Sequence, residues 1–383
     1  MFAFDFQLRT RIVFGPGKVQ ALGELAGELG ARRAMVVSDP GIVAAGHAEH
    51  GMESLRNAKI ETMLFDGVDE NPTTDNVEAG ARAARRFEPE LLVGLGGGSS
   101  MDCAKGINFL YTGGGRMQDY RGHGKATRPM LPMIAVPTTA GTGSEMQSFA
   151  LISDSQTHDK MACGDKKAAC RVALLDPALT ATQPPRVTAL TGIDAISHAL
   201  ETYVTRERSA ISLAFSREAW RLLEENFGRV LADPQDIDAR AGMQLGAAFA
   251  GVAIEESMLG AAHALANPLT ARFGLVHGEA IALMLPHVIR FNGETCGDWY
   301  RELLDHVSGA NGAPKSSAGA DGLAGFIAEM SARGGLAERL SDRGVTEESL
   351  DELAVEAAQQ WTGQHNPRPV AAADLLRLYR AAY

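Results

Sequence analysis

The sequence of 383 residues contains no run of about 18 uninterrupted apolar residues, and it does not begin with a basic segment followed by an apolar stretch. These absences argue against an ordinary transmembrane helix and against a secretory signal. Lys and Arg number 36 against 47 Asp and Glu, for a net charge of -11, so the basic excess that suits nucleic acid or an anionic membrane surface is missing. We therefore expect a cytoplasmic protein with a small-molecule partner, no nucleic acid and no membrane.

The cysteines are few and widely spaced. Cys103, Cys163, Cys170 and Cys296 form no C-x-x-C pair, so neither a cysteine zinc site nor a thioredoxin-like pair is indicated. We expect reduced thiols. With 45% hydrophobic and 22% charged residues the composition is that of a compact globular protein, and the length predicts two domains with a cleft.

The two halves of the sequence differ in their hydrophobic patterns. Short β-rich runs alternate with helical stretches in the first half, which predicts parallel strands with crossover helices. These runs are Ala34–Val37, Thr62–Phe65, Leu91–Leu95, Met133–Val136, Ala150–Ile152 and Val172–Leu175, with helices at Lys18–Leu29 and Thr74–Phe87 and an edge strand or hairpin within Phe2–Phe14. After Pro184-Pro185 only helical patterns follow, including Ser209–Leu231, Asp236–Glu256 and Leu350–Trp361. The prediction is an α/β domain over residues 1–183 and an all-α domain over residues 184–383.

A glycine-rich loop follows the strand-like run that ends at Leu95. In Gly96-Gly97-Gly98-Ser99 the backbone amides can approach an anion closely, and Ser99 can cap the following helix, whose N-terminus attracts phosphate. A tight strand-to-helix turn without a ligand is the alternative. The polar loop Pro137–Glu145 follows another strand, and ligands of open α/β sheets bind at such strand ends.

Asp39 also ends a predicted strand. Its carboxylate could accept a hydrogen bond from a ribose 2′-hydroxyl and repel a 2′-phosphate, which favours NAD over NADP. The alternative is a helix or turn cap, because Asp-Pro-Gly is strong turn chemistry.

Four residues of the helical half form a candidate metal site. Asp194 and His198 are four apart, hence on one face of a helix, and His263 and His277 supply two more imidazoles. Any one of these histidines alone is more often a core residue than a ligand. One carboxylate and three imidazoles together suit Fe, Zn, Co or Ni.

Together these motifs resemble those of the iron-containing (group III) alcohol dehydrogenases of the dehydroquinate-synthase-like superfamily, over essentially the whole chain. The resemblance is carried by the glycine loop with Asp102 and Lys105, the Pro137–Glu145 loop, the four candidate ligands, Leu285-Pro286-His287 and Asn366-Pro367-Arg368-Pro369. It implies a Rossmann-like NAD-binding domain, a helical metal-binding domain with the catalytic site in the cleft, and a homodimer or larger homo-oligomer.

The resemblance also implies roles for single residues. Asp194, His198, His263 and His277 match the metal ligands, with Fe²⁺ as the expected metal and Zn²⁺ as an alternative. The positions that match dinucleotide-lining residues are Asp39, Asn71, Gly96, Gly97, Gly98, Ser99, Thr138, Thr139, Thr142, Leu151, Lys160 and Leu179. Asn267 stands where many members carry a histidine near the substrate, so a proton relay through this position is in doubt.

These features predict a metal-dependent, NAD-linked dehydrogenase that moves a hydride between a small primary alcohol or diol, or its aldehyde, and nicotinamide. One alternative is a dehydroquinate-synthase-like elimination or cyclisation of a phosphorylated sugar acid. The segments around the four ligands contain only Arg272 as a cation, which favours an uncharged substrate. A catalytically silent structural homologue is the remaining alternative.

Overall fold

The computed structural model describes residues 4–157, 159–306 and 318–383. The chain divides into two compact units, one spanning Gln7–Gln183 and the other combining Pro184–Tyr383 with the residues up to Phe6. The predicted first domain included those N-terminal residues, so the structure differs there. The physical reason is an aromatic contact, since the ring of Phe6 lies 6.0 Å from that of Phe215 in the helical unit.

The first unit contains a parallel sheet of six strands. Its strands are β1 (Arg11–Phe14), β2 (Arg33–Val37), β3 (Glu61–Phe65), β4 (Leu91–Gly96), β6 (Met133–Pro137) and β9 (Val172–Leu175), in the order β1-β9-β6-β4-β2-β3. All pairs are parallel, and every residue of the central strands β4 and β6 is buried. This confirms the α/β prediction, because parallel sheets are covered on both faces. The predicted N-terminal strand is limited to Arg11–Phe14, at the sheet edge.

A second sheet of three strands belongs to the same unit. It consists of β5 (Gly122–His123), β7 (Phe149–Ser153) and β8 (Lys160–Gly164), and β7 runs antiparallel to β8. The run Ala150–Ile152 is therefore a strand, but its expected place in the parallel sheet is wrong. Its burial explains the difference, since Ala150 and Ile152 are buried while the residues between and beside them are partly exposed. Such alternation is typical of an antiparallel sheet with one face on the core.

The helices of this unit cover the six-stranded sheet. They are α1 (Leu22–Glu28), α2 (Pro40–Ala44), α3 (His47–Asn57), α4 (Thr74–Phe87) and α5 (Gly98–Gly113). The bounds of α4 agree with the prediction because Thr73 and Asn76 form a capping box at its start. The predicted helix Lys18–Leu29 is instead a 3₁₀ turn, Lys18–Ala21, followed by α1.

The second unit is helical, and none of its described residues lies in a strand. Its helices are α6 (Pro185–Val204), α7 (Ala210–Ala232), α8 (Ile237–Ser257), α9 (Ala261–Phe273), α10 (His277–Asp305), α11 (Gly319–Arg333), α12 (Leu350–Ala358) and α13 (Ala372–Ala382). Ser209 and Asp236 cap α7 and α8, as their positions at the start of the predicted helices suggest. The helix predicted over Leu350–Trp361 ends at Ala358, and a 3₁₀ turn follows from Trp361.

All four cysteines are buried, and none forms a disulfide. Within the described ranges no single helix is both long and apolar enough to cross a membrane. Helices α8 and α9 together have sufficient length and apolar composition, but they are bent by 105° where they meet. Both helices are largely buried against their neighbours.

Candidate metal and dinucleotide sites

Helix α6 carries the first two candidate metal ligands. Asp194 and His198 are four residues apart and each is 4% exposed. A helix places residues with this spacing on the same face. The distance from Asp194 Oδ1 to His198 Nε2 is 3.4 Å, so the two side chains meet as the sequence predicts.

Two glycines allow the other candidate ligands to approach α6. His277 is the first residue of α10, and a Cβ on the next residue, Gly278, would lie 2.2 Å from the carbonyl oxygen of Leu190 on α6. His263 is the third residue of α9, and a Cβ on Gly260, the N-cap of this helix, would lie 2.9 Å from Glu201 Oε1. At Gly278 the neighbouring atoms are backbone, so only glycine permits this approach, whereas at Gly260 a Cβ would displace the Glu201 side chain. Both helix starts are thereby held against the buried face of α6.

Three imidazoles converge on one carboxylate oxygen. The Nε2 atoms of His263 and His277 each lie 3.6 Å from Asp194 Oδ1. Ligand atoms of Asp194, His263 and His277 all lie within 4.8 Å of one another. His198 belongs to the same cluster, because its Nε2 is 3.1 Å from His263 Nε2. The structure thus brings all four predicted ligands together.

The chemistry of this cluster fits a divalent cation. Asp194 Oδ1 is buried and has no hydrogen-bond partner among the described atoms. Such a buried acceptor is costly unless something compensates it. Burial would raise the pKa of Asp194, but the neighbouring imidazoles, His198 foremost, hold it below its usual range. One carboxylate and three imidazole nitrogens are ligands that Fe²⁺ and Zn²⁺ accept.

Glu201 joins this site although the sequence reasoning did not select it. It is 4% exposed on α6, and its Oε2 lies 2.5 Å from Nδ1 of His263. Burial alone would lower the pKa of His263, but the charges of Glu201 and Asp194 raise it to about 9. A signal was present in the sequence, because Glu201 follows Asp194 by seven residues and therefore lies on the same helical face.

Asn267 lies one turn beyond His263 on α9. Its Nδ2 donates a hydrogen bond of 3.0 Å to Oε1 of Gln360. The amide cannot titrate, so the structure offers no acid or base at this position. Its expected place near the substrate stays a prediction.

The glycine loop connects β4 to α5. Gly96 has a φ of +152°, and a Cβ there would lie 2.4 Å from Ser100 Oγ. A Cβ on Gly98 would lie 2.7 Å from Thr142 Cγ2, so the glycine loop and the loop after β6 lie close together. The expected cap at Ser99 is wrong, because Gly97 is the N-cap and the Ser99 hydroxyl donates to the carbonyl of Glu70.

Asp39 lies at the end of β2, next to this loop. Its Oδ1 accepts a hydrogen bond from the amide of Ile42 and caps α2, as the alternative interpretation predicts. Its Oδ2 accepts from the hydroxyl of Ser100 at 3.1 Å. Because β2 pairs with β3 on one side and β4 on the other, the strand order reverses here. Dinucleotides bind at such a switch point.

The remaining predicted dinucleotide residues lie at varied places in the same unit. The amide of Thr138 donates a hydrogen bond to the carbonyl oxygen of Gly96, and the side chain of Thr139 lies next to Gly97. Asn71 is exposed beside Glu70. Leu151 and Lys160 lie on the paired strands β7 and β8. Leu179 is 4% exposed within a hydrophobic core cluster.

A buried polar network lies behind the two loops. Lys105 is fully buried on α5, and its Nζ donates to both the carbonyl and the hydroxyl of Ser144 and to the carbonyl of Phe149. The Ser144 hydroxyl donates to Oδ1 of Asp102 at 2.5 Å. Burial raises the pKa of Glu145, the next residue, to about 7. The network ties the helix after the glycine loop to the loop after β6.

Three arginines of the helical unit, Arg186, Arg272 and Arg343, are paired with carboxylates. Arg272 binds Glu352 and Glu356 of α12. The expectation that Arg272 is the only nearby cation is incomplete, because Arg186 and Arg343 both bind the buried Glu279, two residues after His277. All three guanidinium groups thus already have acidic partners.

The whole chain is similar to known dehydrogenases. A family described as iron-containing alcohol dehydrogenase matches residues 9–177, and its C-terminal domain matches residues 188–383. The chain is 31% identical to an NAD-dependent methanol dehydrogenase of Bacillus methanolicus and 32% identical to a 1,3-propanediol dehydrogenase of Citrobacter freundii, with 99% of both chains covered in each comparison. A crystal structure of a 1,3-propanediol oxidoreductase shares 31% identity with a TM-score of 0.95 over 100% of both chains. Sequence, fold and ligand cluster agree that this protein belongs to the iron-containing alcohol dehydrogenase family.

Proposed function

We propose that the protein is a metal-dependent, NAD-linked alcohol dehydrogenase that interconverts a small primary alcohol or diol and its aldehyde. The observation that carries this proposal is that the Nε2 atoms of three imidazoles each lie within 3.6 Å of Asp194 Oδ1. Asp194, His198, His263 and His277 would hold the cation, with Fe²⁺ as the native ion and Zn²⁺ as a substitute. A divalent cation at such a site lowers the pKa of an alcohol and polarises an aldehyde carbonyl.

The α/β unit supports NAD as the redox partner. Parallel strands end at Asp39 and at the glycine loop on the two sides of the switch point, and the N-terminus of α5 offers amides to a pyrophosphate. Asp39 accepts one hydrogen bond at each carboxylate oxygen and retains lone pairs for a ribose hydroxyl. Its negative charge disfavours a 2′-phosphate, so NAD is preferred over NADP.

The charge pattern supports an uncharged substrate. A phosphorylated sugar acid would need cations that are not already neutralised, whereas Arg186, Arg272 and Arg343 are all paired with glutamates. The similar enzymes are named for methanol and 1,3-propanediol. Short alcohols and diols are therefore the first substrates to test.

The test is NADH consumption by metal-stripped protein with a panel of short aldehydes, performed anaerobically with and without added Fe²⁺ or Zn²⁺. Activity that returns only with metal is the expected result. Protein that binds NADH but stays inactive with every metal and aldehyde would contradict the proposal and favour the phosphorylated substrate.

A ligand substitution tests the site itself. His263→Ala removes one of the converging imidazoles and should reduce turnover by at least about 100-fold while NADH binding, followed by its fluorescence, is retained. His287→Ala removes a histidine of α10 that lies outside the cluster and serves as the control. Full activity of His263→Ala would exclude the metal role.

The family resemblance further leads us to propose a cytoplasmic homodimer or larger homo-oligomer. Light scattering on the purified full-length chain measures the assembly directly. A monomer at micromolar concentration would contradict it.

A further inference from the structure

We propose that Glu201 is a positioning residue of the metal site, which holds His263 so that Nε2 faces the cation. The inference rests on the proposed metal-dependent function and assigns a role to a residue outside the ligand set. Glu201, His198 and Asp194 lie on one face of α6, and all three are at most 4% exposed. A buried carboxylate at this depth needs compensation by donors or by a positive charge.

Both carboxylate oxygens of Glu201 contact the first turn of α9. Oε2 lies 2.5 Å from Nδ1 of His263, and Oε1 accepts a hydrogen bond of 2.7 Å from the amide of Ala262. One side chain therefore fixes both the backbone and the imidazole of the segment that supplies the ligand. The amide it accepts from is one that the start of a helix otherwise leaves without a partner.

This contact determines which nitrogen of His263 is available to a metal. A carboxylate only accepts, so in the neutral imidazole that binds a metal the hydrogen bond requires the proton on Nδ1 and leaves the lone pair on Nε2. Nε2 is the atom that lies 3.6 Å from Asp194 Oδ1 and 3.1 Å from His198 Nε2. The negative charge of Glu201 also makes the ring a stronger electron donor.

The surrounding residues leave little room for another arrangement. A Cβ on Gly260 would lie 2.9 Å from Glu201 Oε1 and 3.0 Å from Asn366 Oδ1. Asn366 accepts from the amide of Ala261 at 3.2 Å and exchanges two side-chain hydrogen bonds with Asn292. The start of α9 is thus held by Glu201 on one side and by the Asn366–Asn292 pair on the other.

Glu201→Gln is the direct test, because it keeps the size of the side chain and removes its charge. A glutamine amide group facing His263 would donate to Nδ1 and favour the tautomer whose Nε2 is protonated. We expect the affinity of the full-length protein for Co²⁺, measured by competition with a chelator, to fall by about 10- to 100-fold. The visible absorption bands of the Co²⁺-loaded protein should also shift, which a purely structural change elsewhere would not produce.

Glu224→Gln is the matched control, since Glu224 is fully buried on α7, which carries none of the four ligands. It should leave Co²⁺ affinity and spectrum unchanged. Glu201→Asp keeps the charge but is one methylene too short to make both contacts, so its Co²⁺ affinity should fall between those of wild type and Glu201→Gln. It also serves as the second variant if thermal unfolding shows that Glu201→Gln does not fold.

Three outcomes separate the possible failures. Wild-type affinity and an unchanged spectrum in Glu201→Gln would overturn the role of Glu201 while leaving the metal site intact. The same result in Glu201→Asp would overturn it if Glu201→Gln is unfolded. Failure of the wild-type protein to bind Co²⁺, Fe²⁺ or Zn²⁺ would instead overturn the proposed function.

Discussion

Single residues of the metal cluster show what the sequence can and cannot predict. Asp194 and His198 were predicted together because helical spacing is visible in the sequence, and His263 and His277 because their side chains suit a divalent cation. Glu201 was missed because a glutamate late in a helix is usually solvated. Its spacing from Asp194 places it on the face that carries the ligands, but its contacts are with the start of α9, about 60 residues further along the chain, and the sequence does not show that contact.

Glu145 provides a prediction at the same scale. Burial raises its pKa from 4.5 to about 7, so the folded protein holds this proton more tightly than the unfolded chain does. The contribution to stability is complete below pH 4.5 and is lost as pH rises through about 7. Glutamine does not titrate, so Glu145→Gln does not lose this contribution as pH rises. The free energy of unfolding of Glu145→Gln minus that of wild type should therefore rise by up to about 3 kcal/mol between acidic and weakly alkaline pH.

Denaturant unfolding across this pH range measures the effect. Glu24→Gln, which changes an exposed glutamate of the same unit, is the control and should follow wild type. Parallel pH profiles of wild type and Glu145→Gln would show that Glu145 titrates normally.

At the scale of helices and strands, predictability followed the strength of local signals. Helix α4 was predicted correctly because its apolar spacing and its polar start are both local. Strand β8 was not predicted, because Lys160–Gly164 contains no β-branched or aromatic residue. It forms by pairing with β7. This antiparallel pairing also places β7 in the small sheet and outside the parallel one. The pairing partner of a strand is decided by the whole fold, so the local sequence of the strand does not reveal it.

The approach of α10 to α6 can be tested with two glycines of one helix. Gly278→Ala places a Cβ 2.2 Å from the Leu190 carbonyl and should displace the start of α10, which carries His277. We expect Co²⁺ affinity to fall at least about tenfold and the protein to lose about 1–3 kcal/mol of stability. Gly297→Ala, where nothing lies within 4 Å, should leave metal affinity unchanged. Equal affinities in the two variants would exclude the close approach.

At the scale of the whole molecule, the chain carries two sets of site residues in two compact units. The four metal ligands belong to the helical unit, and the predicted dinucleotide residues all belong to the α/β unit. The sequence predicted this separation from the loss of strand patterns near residue 184. It did not predict that the residues up to Phe6 join the helical unit, because a contact between Phe6 and Phe215 joins positions about 200 residues apart.

Hydrogen–deuterium exchange tests the assignment of one ligand to each unit. Metal added to stripped protein should slow exchange at the starts of α9 and α10 and along α6. NAD should slow exchange at Gly96–Ser100 and in the loop after Pro137. Helix α12, which carries no predicted ligand, is the internal control. Slower exchange of the glycine loop with metal alone, or no response to NAD, would contradict the assignment.

The buried cysteines make unfolding of each unit chemically visible. Cys103, Cys163 and Cys170 lie in the α/β unit and Cys296 in the helical unit. Burial raises the pKa of Cys163 and of Cys296 to about 12, which suppresses the reactive thiolate at neutral pH. Alkylation of the native protein should therefore wait for an opening event, and mass spectrometry of the labelled peptides would time that event separately for each half of the enzyme.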